Sequence, residues 1–463
     1  MTDAPAIAAD ASTPLAEVEA ALADGDAATA RRELDRIAAA VGAQARLAHD
    51  VAQLYMRLTE PVLAAAFYAR AVALEPTRAA YRYNHSTALI ALGRMEEAEA
   101  ALDSVIAMQP DDSDAWYNRA TLRRQTARRN HVAAIERQLR QGGAPRSADV
   151  PLHYALAKEL EDLGEHERAF AALTRGAALR RSLLSYRVDD DVAIMREIAA
   201  AHSAAVLREA VTGCDDARPI FVVGLPRSGT TLVDRILSSH SDIGSHGESN
   251  DFALALMQLA APCRGKAELL ERSLQVDPRQ LGLDYGARLA AHAEARVVDK
   301  TPANFLYLGL IARALPHARI VYVRRQPMDV CYAMYKTLFR MAYPYSYDLG
   351  DLGSYWLAFD ALMRHWQDNL PAGRMLTVDY EQLVATPQET IRGLLSHVGM
   401  PWQDACLEFD RNPLPSLTAS AAQVRRPIYN SSVGLWRRYA AGLTPLAKFL
   451  QQAGVAIDTG DAA

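Results

Sequence analysis

The segment PIFVVGLPRSGTTLVDRILSSH, residues 219–240, constrains the fold more than any other part of this chain. An apolar, β-branched run passes through a turn of small residues into a helix with one apolar face. Gly224 and Gly229, with four residues between them, reproduce the frame of a phosphate-binding loop. A strand that is apolar on both faces and leads into a helix is typical of a parallel sheet covered on both sides. The sequence therefore predicts an α/β domain of the phosphate-loop type.

The residues of this loop suit a small anion. Glycines let backbone N–H groups close around the anion, and the following helix offers its positive end to the same charge. The lysine that normally reaches the β- and γ-phosphates of a nucleotide is missing, which speaks against hydrolysis of ATP or GTP. Arg227 and the hydroxyls of Ser228, Thr230 and Thr231 remain as ligands. We expect the loop to bind a single phosphate or sulfate group.

Further strand-like runs follow the loop and alternate with helical segments. They are ARVVDK, ARIVYVRR and RMLTVDY. Strands of this kind predict a parallel sheet, and sites in such sheets lie at the carboxyl ends of the strands. We place this domain at residues 211–450, followed by a tail at 451–463.

The first half of the chain has a different texture. Residues 15–210 are rich in Ala, Leu, Arg and Glu at helical spacing, which predicts an all-α domain after a disordered start at residues 1–14. A period of 34 residues relates Ala64, Tyr68, Ala71 and Pro76 to Ala98, Leu102, Val105 and Pro110. Small residues and a closing proline at this period are typical of the tetratricopeptide repeat. Trp116 extends the register, and residues 153–179 resemble a further, shifted copy, with an irregular helical bundle as the alternative.

The arginine-dense run at residues 123–140, RRQTARRNHVAAIERQLR, interrupts the repeat pattern. Such a run is commonly a solvated helix face. Docking of an acidic partner is the alternative.

Bulk composition limits the class of protein. A chain of 463 residues is long enough for two or more domains, and a formal net charge of -5 argues against a general nucleic-acid binder. The four cysteines are far apart and without metal-ligand spacing, which is typical of reduced thiols in a cytosolic protein. No 18 apolar residues run together, and the start lacks a leader pattern. We expect a soluble cytoplasmic protein that uses neither nucleic acid nor membrane.

With its lysine-free PRSGTT loop, the chain resembles the sulfotransferases, above all the tyrosylprotein sulfotransferases and bacterial proteins that join tetratricopeptide repeats to a sulfotransferase domain. That resemblance implies that 3′-phosphoadenosine 5′-phosphosulfate is the donor and that the loop, Arg227 to Thr231, holds its 5′-phosphosulfate. It covers residues 219 to about 447. No metal is expected, because the transferred group carries less charge than a phosphoryl group.

The second signature of the family is an arginine at a strand end with a serine eight residues later, both contacting the donor's 3′-phosphate. Arg325 fits the first position, but Ala333 stands where the serine is usual. The lost hydroxyl puts donor affinity in question, since a hydrogen bond to a charged group contributes about 1.5–3 kcal/mol. Arg324 is the alternative anchor.

Later segments extend the resemblance. TVDYEQLV places Tyr380 near the nucleoside end of the donor. SAAQVRRPIYNSSVGLW resembles the loop that folds over the donor. There Ser420 matches a donor-contacting serine, and Arg425 or Arg426 would reach the 3′-phosphate.

Glu248 is the candidate general base, because it follows Arg227 by 21 residues, the spacing found in the tyrosylprotein enzymes. Burial would raise the pKa of such a carboxyl toward the working range. His246 is the rival base. By the same resemblance Lys300, after a strand and before a proline, neutralises charge on the bridging oxygen, a role suited to a preorganised cation. Asp299 would orient it or cap the segment.

The predicted function is sulfuryl transfer to a hydroxyl, most closely matching tyrosine of a peptide or protein that the repeat domain could hold. A small phenol, a sugar or a lipid hydroxyl stays open as acceptor, because fold does not fix substrate. A kinase with an aberrant loop is one alternative. A non-catalytic repeat adaptor with a decayed nucleotide-binding domain, of which Ala333 would be the first sign, is the other.

Overall fold

The computed structural model describes residues 12–23, 25–141, 146–412 and 427–457. Two compact units divide the described chain, one ending at Arg124 and the other beginning at Gln125. Within the described ranges, no helix combines the length and the apolar character that crossing a bilayer would require.

The first unit is helical throughout. Its helices are α1 (Ser12–Ala23), α2 (Ala27–Ala39), α3 (Ala45–Arg57), α4 (Pro61–Leu74), α5 (Ala79–Ala91), α6 (Met95–Met108) and α7 (Ser113–Thr121). Helices α3, α5 and α7 begin at residues 45, 79 and 113, and α4 and α6 at 61 and 95. The helices therefore recur at the 34-residue period that the sequence predicts.

A polar contact between successive repeats recurs one repeat later at equivalent positions. Ala64 and Ala98 are both fully buried, so small residues lie where the helices of each hairpin pack. Asn84 Nδ2 lies 2.7 Å from His49 Nε2, and one repeat later Asn118 Nδ2 donates to Tyr83 Oη at 2.9 Å. An asparagine contact to an aromatic side chain 35 residues earlier occurs in both cases, which supports stacking of repeat on repeat.

The second unit opens with helices that the sequence groups with the repeats. They are α8 (Val132–Gln141), α9 (Asp149–Asp162), α10 (His166–Ser182), α11 (Val188–Ala201) and α12 (Ala204–Arg208). By packing they belong with the sheet that follows. The domain boundary at 210/211 remains a prediction from the sequence. The boundary between the two compact units lies at 124/125.

The arginine-dense run is not one continuous helix. A turn in which Thr126 and Arg129 pair through their backbones precedes α8, and Arg128 and Arg137 are exposed. Exposure agrees with the solvated interpretation of this run.

A parallel sheet forms the centre of the second unit. In the described residues it has five strands in the order β2-β3-β1-β4-β5. They are β1 (Pro219–Val223), β2 (Ile243–Gly247), β3 (Arg296–Asp299), β4 (Arg319–Arg324) and β5 (Met375–Asp379). Every residue of β1 is buried, as its continuous apolar run predicts. The predicted fold class, helical repeats followed by a parallel α/β domain, is confirmed.

Helices cover both faces of this sheet. They are α13 (Thr230–Leu237), α14 (Asp251–Leu259), α15 (Lys266–Ser273), α16 (Pro278–Arg288), α17 (Leu308–Ala314), α18 (Pro327–Tyr335), α19 (Leu349–Asn369), α20 (Tyr380–Ala385), α21 (Pro387–His397) and α22 (Ala440–Gln452). Short 3₁₀ helices lie at Pro302–Tyr307, Pro344–Tyr347, Asp404–Cys406, Phe409–Arg411 and Leu435–Tyr439. On one face Val222 and Val233 share a core with Leu394, and on the other Tyr322 contacts Phe359.

Strand β2 has no counterpart among the sequence predictions. It reads IGSHG and lies at the edge of the sheet, with a shift in its pairing to β3 between Ser245 and Gly247. Ile243 is the only β-branched residue of this strand, so the β-branched signal is weak. It nevertheless carries His246 and leads directly to Glu248.

Leu102→Ala tests the repeat core. Leu102 is fully buried at the second position of the 34-residue pattern, whereas Leu74 is 39% exposed. Removing a buried leucine leaves a cavity, so we expect the free energy of unfolding to fall by about 2–5 kcal/mol. Urea titration followed by circular dichroism measures the change. Leu74→Ala is the control, and an equal loss in both variants would contradict the packing described here.

Candidate functional site

The loop between β1 and α13 has a backbone that only its glycines permit. Gly229 has φ 111° and Gly224 has φ 156°. A Cβ atom on Gly229 would lie 2.6 Å from Tyr380 Cδ2, and one on Gly224 would lie 2.7 Å from Val323 O. Both distances are too short for real contacts. The glycines therefore allow the loop to lie directly against β4 and α20.

Polar groups of the loop face inward at the start of α13. Ser228 is 2% exposed, and its Oγ has no hydrogen-bond partner among the described residues. Thr230 and Thr231 are also buried and form the first turn of α13. A buried hydroxyl without a partner costs free energy, and a helix N-terminus attracts negative charge. These groups fit an anion such as phosphate or sulfate.

Arg227 takes an unusual backbone conformation in this loop. Its φ is 68°, in the left-handed region that residues other than glycine rarely adopt. Its carbonyl oxygen accepts a hydrogen bond from Arg325 Nη1 at 2.9 Å. Strain of this kind persists where surrounding contacts impose it and is common at functional sites.

Arg325, at the end of β4, joins the loop to two later segments. Besides Arg227 O, its guanidinium donates to Ser432 O at 2.7 Å and lies 4.6 Å from the centre of the Tyr380 ring. Tyr380 Oη lies 2.9 Å from Ser432 Oγ. The structure thus brings together Arg227, Arg325 and Tyr380, which belong to three separate motifs in the sequence.

Arg324, the alternative anchor, has a different partner. Its guanidinium binds both carboxylate oxygens of Asp379, at 2.6 and 2.9 Å. This bidentate pair at the ends of β4 and β5 occupies the arginine.

Ser432 is a residue that sequence reasoning missed. Ala333, where a serine is usual, is buried and supplies no hydroxyl. Ser432 places a hydroxyl beside Tyr380 and a carbonyl on Arg325. The only sequence signal was its place in the segment resembling the donor-covering loop. That segment is described from residue 427 onward, so Ser420, Arg425 and Arg426 lie outside the described residues.

Lys300 and Glu248 form an ion pair at the end of β3. Lys300 is 1% exposed and its ammonium donates to Glu248 Oε1, whereas the Glu248 side chain is 44% exposed. The backbone N–H of Lys300 also donates to Gly247 O at 2.9 Å, which continues the pairing of β3 with β2. A buried ammonium requires a carboxylate partner, and this partner lies on the open side of the pair.

Asp234, on α13, gives Lys300 a second acidic neighbour. Burial raises the pKa of the Asp234 carboxyl, while the Lys300 charge and a hydrogen bond from Ser245 Oγ at 2.7 Å oppose that rise. The cation is therefore linked electrostatically to the helix that begins at the anion loop. Asp234 has no spacing or motif that would have identified it in the sequence.

His246 is engaged elsewhere. Its Nε2 lies 2.5 Å from Asp251 Oδ2, and its Nδ1 lies 3.0 Å from His292 Nε2. Burial raises the pKa of Asp251, but the hydrogen bond from His246 and the charges of His246 and Arg288 outweigh it, so the net pKa is lowered. Both ring nitrogens of the rival base are thus occupied by this histidine–aspartate cluster.

Asp299 is the last residue of β3 and directly precedes Lys300. It is fully buried, and its carboxylate accepts hydrogen bonds from Tyr285 Oη at 3.0 Å and Asn304 Nδ2 at 3.2 Å. Burial raises the pKa of Asp299 to about 6, against the hydrogen bonds that favour its ionised form. Its contacts tie β3 to α16 and to the 3₁₀ helix that follows Lys300.

A cavity of about 420 Å³ opens beside the loop. Ser228 and Arg325 border it, and Trp356 and Phe359 form an apolar wall. This volume lies within the range of small-molecule sites. No group of three or more His, Cys, Asp or Glu side chains suited to a metal ion occurs in the part of the chain that the structure describes.

Comparison with known families agrees with this geometry. Residues 219–404 match the family model for the Sulfotransferase family, and residues 59–122 match that for the Tetratricopeptide repeat. The chain therefore carries a tetratricopeptide repeat and a sulfotransferase-family domain. Both resemblances predicted from the sequence are confirmed.

Individual relatives fall into two groups. An uncharacterized protein of Aquifex aeolicus (strain VF5) is 33% identical over 379 residues, which cover 79% of this chain and 49% of that protein. Protein-tyrosine sulfotransferase 1 of Danio rerio is 28% identical over 239 residues, 47% of this chain and 65% of that protein. The protein-tyrosine sulfotransferase of Drosophila melanogaster is 24% identical, over 47% of this chain and 46% of that protein. The chain thus spans between about half and two thirds of the length of these relatives.

Asp299→Asn tests the buried carboxyl. Because the pKa of Asp299 is raised to about 6 in the folded chain, folding favours its protonated form, and stability falls as pH rises from the unfolded pKa of 3.8 toward 6. The full loss is about 3 kcal/mol, and about 2 kcal/mol of it falls between pH 4 and pH 7. Guanidinium titrations at pH 4 and pH 7 measure it. The variant, which cannot ionise, should lose this part of the pH dependence; an unchanged difference between the two pH values would contradict the assignment.

Proposed function

We propose that this protein is a sulfotransferase that moves a sulfuryl group from 3′-phosphoadenosine 5′-phosphosulfate to an acceptor hydroxyl. The observation that carries the proposal is the buried Lys300 paired with the half-exposed Glu248. Glu248 follows β2 and Lys300 follows β3, so both lie at the carboxyl ends of the strands, where the lysine-free anion loop also lies. An anion cradle, a cation and a carboxylate at one sheet edge are the parts that such a transfer needs.

The donor is proposed to lie across the ends of β1 and β4. Arg227, Ser228, Gly229, Thr230 and Thr231 would bind its 5′-phosphosulfate through hydroxyls, amides and the positive helix end. Support comes from the partnerless, buried hydroxyl of Ser228.

The other end of the donor carries the 3′-phosphate. Arg325 and Tyr380 would contact this end, because their mutual stacking and the Ser432 contacts hold them against the loop. Ser420, Arg425 and Arg426 are proposed to join them by resemblance alone.

Glu248 is the proposed general base. The acceptor oxygen attacks sulfur and forms a new S–O bond while its proton passes to a Glu248 carboxylate oxygen. The S–O bond to the 5′-phosphate breaks, and its electron pair stays on that phosphate, giving adenosine 3′,5′-bisphosphate. The engagement of His246 by Asp251 and His292 favours Glu248 over its rival.

Lys300 and Arg227 are the proposed stabilisers of the leaving phosphate. Lys300 is paired with Glu248 before the reaction. When Glu248 takes up the acceptor proton, its negative charge is neutralised. The Lys300 ammonium can then stabilise the negative charge that develops on the bridging oxygen. Proton transfer and leaving-group stabilisation are thereby coupled through one ion pair, in a site held ready before reaction.

The proposed acceptor is a tyrosine of a peptide or protein. Similarity to the two protein-tyrosine sulfotransferases over 47% of the chain supports this choice. Exposure of the Glu248 carboxylate to solvent allows a large acceptor to approach. The tetratricopeptide repeats are proposed to hold the protein acceptor, since helical repeats commonly bind extended peptides.

A non-catalytic adaptor is the second candidate, and Ala333 favours it. In the described chain this buried position lacks the hydroxyl expected of a donor-binding serine. The adaptor and the enzyme differ in turnover. Mass spectrometry of tyrosine peptides and phenols incubated with donor would show addition of sulfate for the enzyme and no addition for the adaptor.

Glu248→Gln tests the base. The amide cannot accept the acceptor proton, so we expect kcat to fall by roughly 10²–10⁴. Binding of adenosine 3′,5′-bisphosphate should change little. Radiolabel transfer from donor to a tyrosine peptide measures kcat.

Glu294→Gln is the matched control. Glu294 has a similar side-chain exposure, 37%, and lies 3.6 Å from His292 rather than from Lys300. The kcat of this variant should stay within about twofold of the wild-type kcat, because surface substitutions away from a site have small effects. Undiminished transfer by Glu248→Gln would shift the assignment to His246.

A further inference from the structure

Glu161, near the end of α9, binds three side chains that come from two later elements. Its carboxylate accepts hydrogen bonds from Tyr332 Oη at 2.6 Å and Tyr439 Oη at 2.9 Å, and it pairs with Lys336 Nζ at 2.6 Å. Tyr332 lies on α18 and Lys336 directly follows it, whereas Tyr439 ends the 3₁₀ helix Leu435–Tyr439. One carboxylate thus joins α18 to the segment that leads back to Ser432.

The charges of this cluster favour a fixed arrangement. Burial raises the pKa of Glu161, but the Lys336 ammonium and the two phenol donors outweigh it, and the net pKa is lowered. Burial and the Glu161 charge raise the pKa of Tyr332 and of Tyr439. The cluster therefore joins an ionised carboxylate to the Lys336 ammonium and to two neutral phenol donors, all three of which are directed at that carboxylate.

The same two elements are also joined at their other ends. Asp329, in the first turn of α18, accepts hydrogen bonds from the backbone N–H groups of Gly434 at 2.6 Å and Trp436 at 3.3 Å. Two residues before Gly434, Ser432 contacts Arg325 and Tyr380. Residues 432–439, the closing segment, are thus held at one end by Asp329 and at the other by Glu161.

The hairpin of α9 and α10 that carries Glu161 packs on α18 and on the closing segment. Phe170, on α10, lies 6.1 Å from the rings of both Tyr335 and Tyr439. Tyr154 Oη, on α9, donates to Tyr335 O at 3.2 Å. Helices that the sequence groups with the repeats therefore pack directly on α18 and on the end of the closing segment.

We propose that Glu161 is a positioning residue for the donor site. It fixes the closing segment through Tyr439 and α18, and so sets the place of Ser432 against Arg325 and Tyr380. This inference rests on the proposed function, because it concerns the affinity for the same donor. Without the Glu161 carboxylate, the donor and its bisphosphate product should bind more weakly, while the chemical step at saturating donor should be unaffected.

Glu161→Gln in the full chain tests this role. We expect the Kd of adenosine 3′,5′-bisphosphate, measured by calorimetry, to rise about tenfold, and the donor KM to rise with it. The kcat at saturating donor should stay within about twofold. Lys336→Met, which removes the cation of the cluster, should change Kd in the same direction.

Glu159→Gln is the matched control. Glu159 is 1% exposed on the same helix and binds His131 at the start of α8, with Oε1 2.9 Å from Nδ1. Its loss should lower the Tm and leave the Kd measured well below that temperature unchanged. A merely structural role for Glu161 would give the same result as this control.

The outcomes separate the two proposals. Unchanged product and donor affinity in both Glu161→Gln and Lys336→Met, with a wild-type chain that binds the bisphosphate, would overturn this inference alone. A fall in kcat without a change in KM would also overturn it. Wild-type protein that fails to bind the bisphosphate would reject the proposed function and this inference with it. If Glu161→Gln does not fold, Lys336→Met and Tyr439→Phe decide the question.

Discussion

A lysine ammonium buried at the end of an interior strand is the constraint on which the candidate site depends. Lys300 is almost fully shielded from water, so it needs a carboxylate nearby, and Glu248 and the electrostatic neighbour Asp234 supply the negative charge. Breaking a buried ion pair by removing one partner commonly costs about 3–5 kcal/mol. The Lys300 charge therefore interacts with groups that follow the edge strand β2 and lie on the helix after the anion loop, and it links both to the interior strand β3.

The parallel sheet explains why these groups meet. The anion loop follows β1, Glu248 follows β2, Lys300 follows β3 and Arg325 follows β4. Since carboxyl ends of parallel strands share one edge, four short segments far apart in sequence contribute to one region. Arg325 then joins this end of the sheet to the closing segment through Ser432, which adds a second wall to the proposed donor site.

The sequence predicts much of this because its signals are local. The apolar runs of β1, β3, β4 and β5, the glycines of the loop and the 34-residue period each have a direct physical cause in backbone and packing. The edge strand β2 could not be predicted, because IGSHG has little β propensity and is fixed by pairing with β3. Asp234, Ser432 and Glu161 could not be predicted as site residues either, because each is placed by contacts with residues distant in sequence. The packing of α9 and α10 with the sheet is a tertiary property that helical periodicity does not encode.

Helices pack in two different ways in this chain, which carries tetratricopeptide repeats and a sulfotransferase-family domain. In the first unit they stack on one another at a fixed period. In the second, the α9–α10 hairpin supports α18 and the closing segment through Glu161 and Phe170. The same kind of hairpin can therefore form a repeat or support a segment that borders the proposed donor site.

The central claim is that an anion loop without lysine, together with Arg325, recognises a nucleotide by its 3′-phosphate and sulfate-bearing end. Calorimetric titration of the unchanged protein with adenosine 3′,5′-bisphosphate, adenosine 5′-monophosphate and ATP with Mg²⁺ tests it most directly. The account predicts that the bisphosphate binds at least about tenfold more tightly than either of the others, without added metal. Equal affinity for the monophosphate, or tighter metal-dependent binding of ATP, would contradict it.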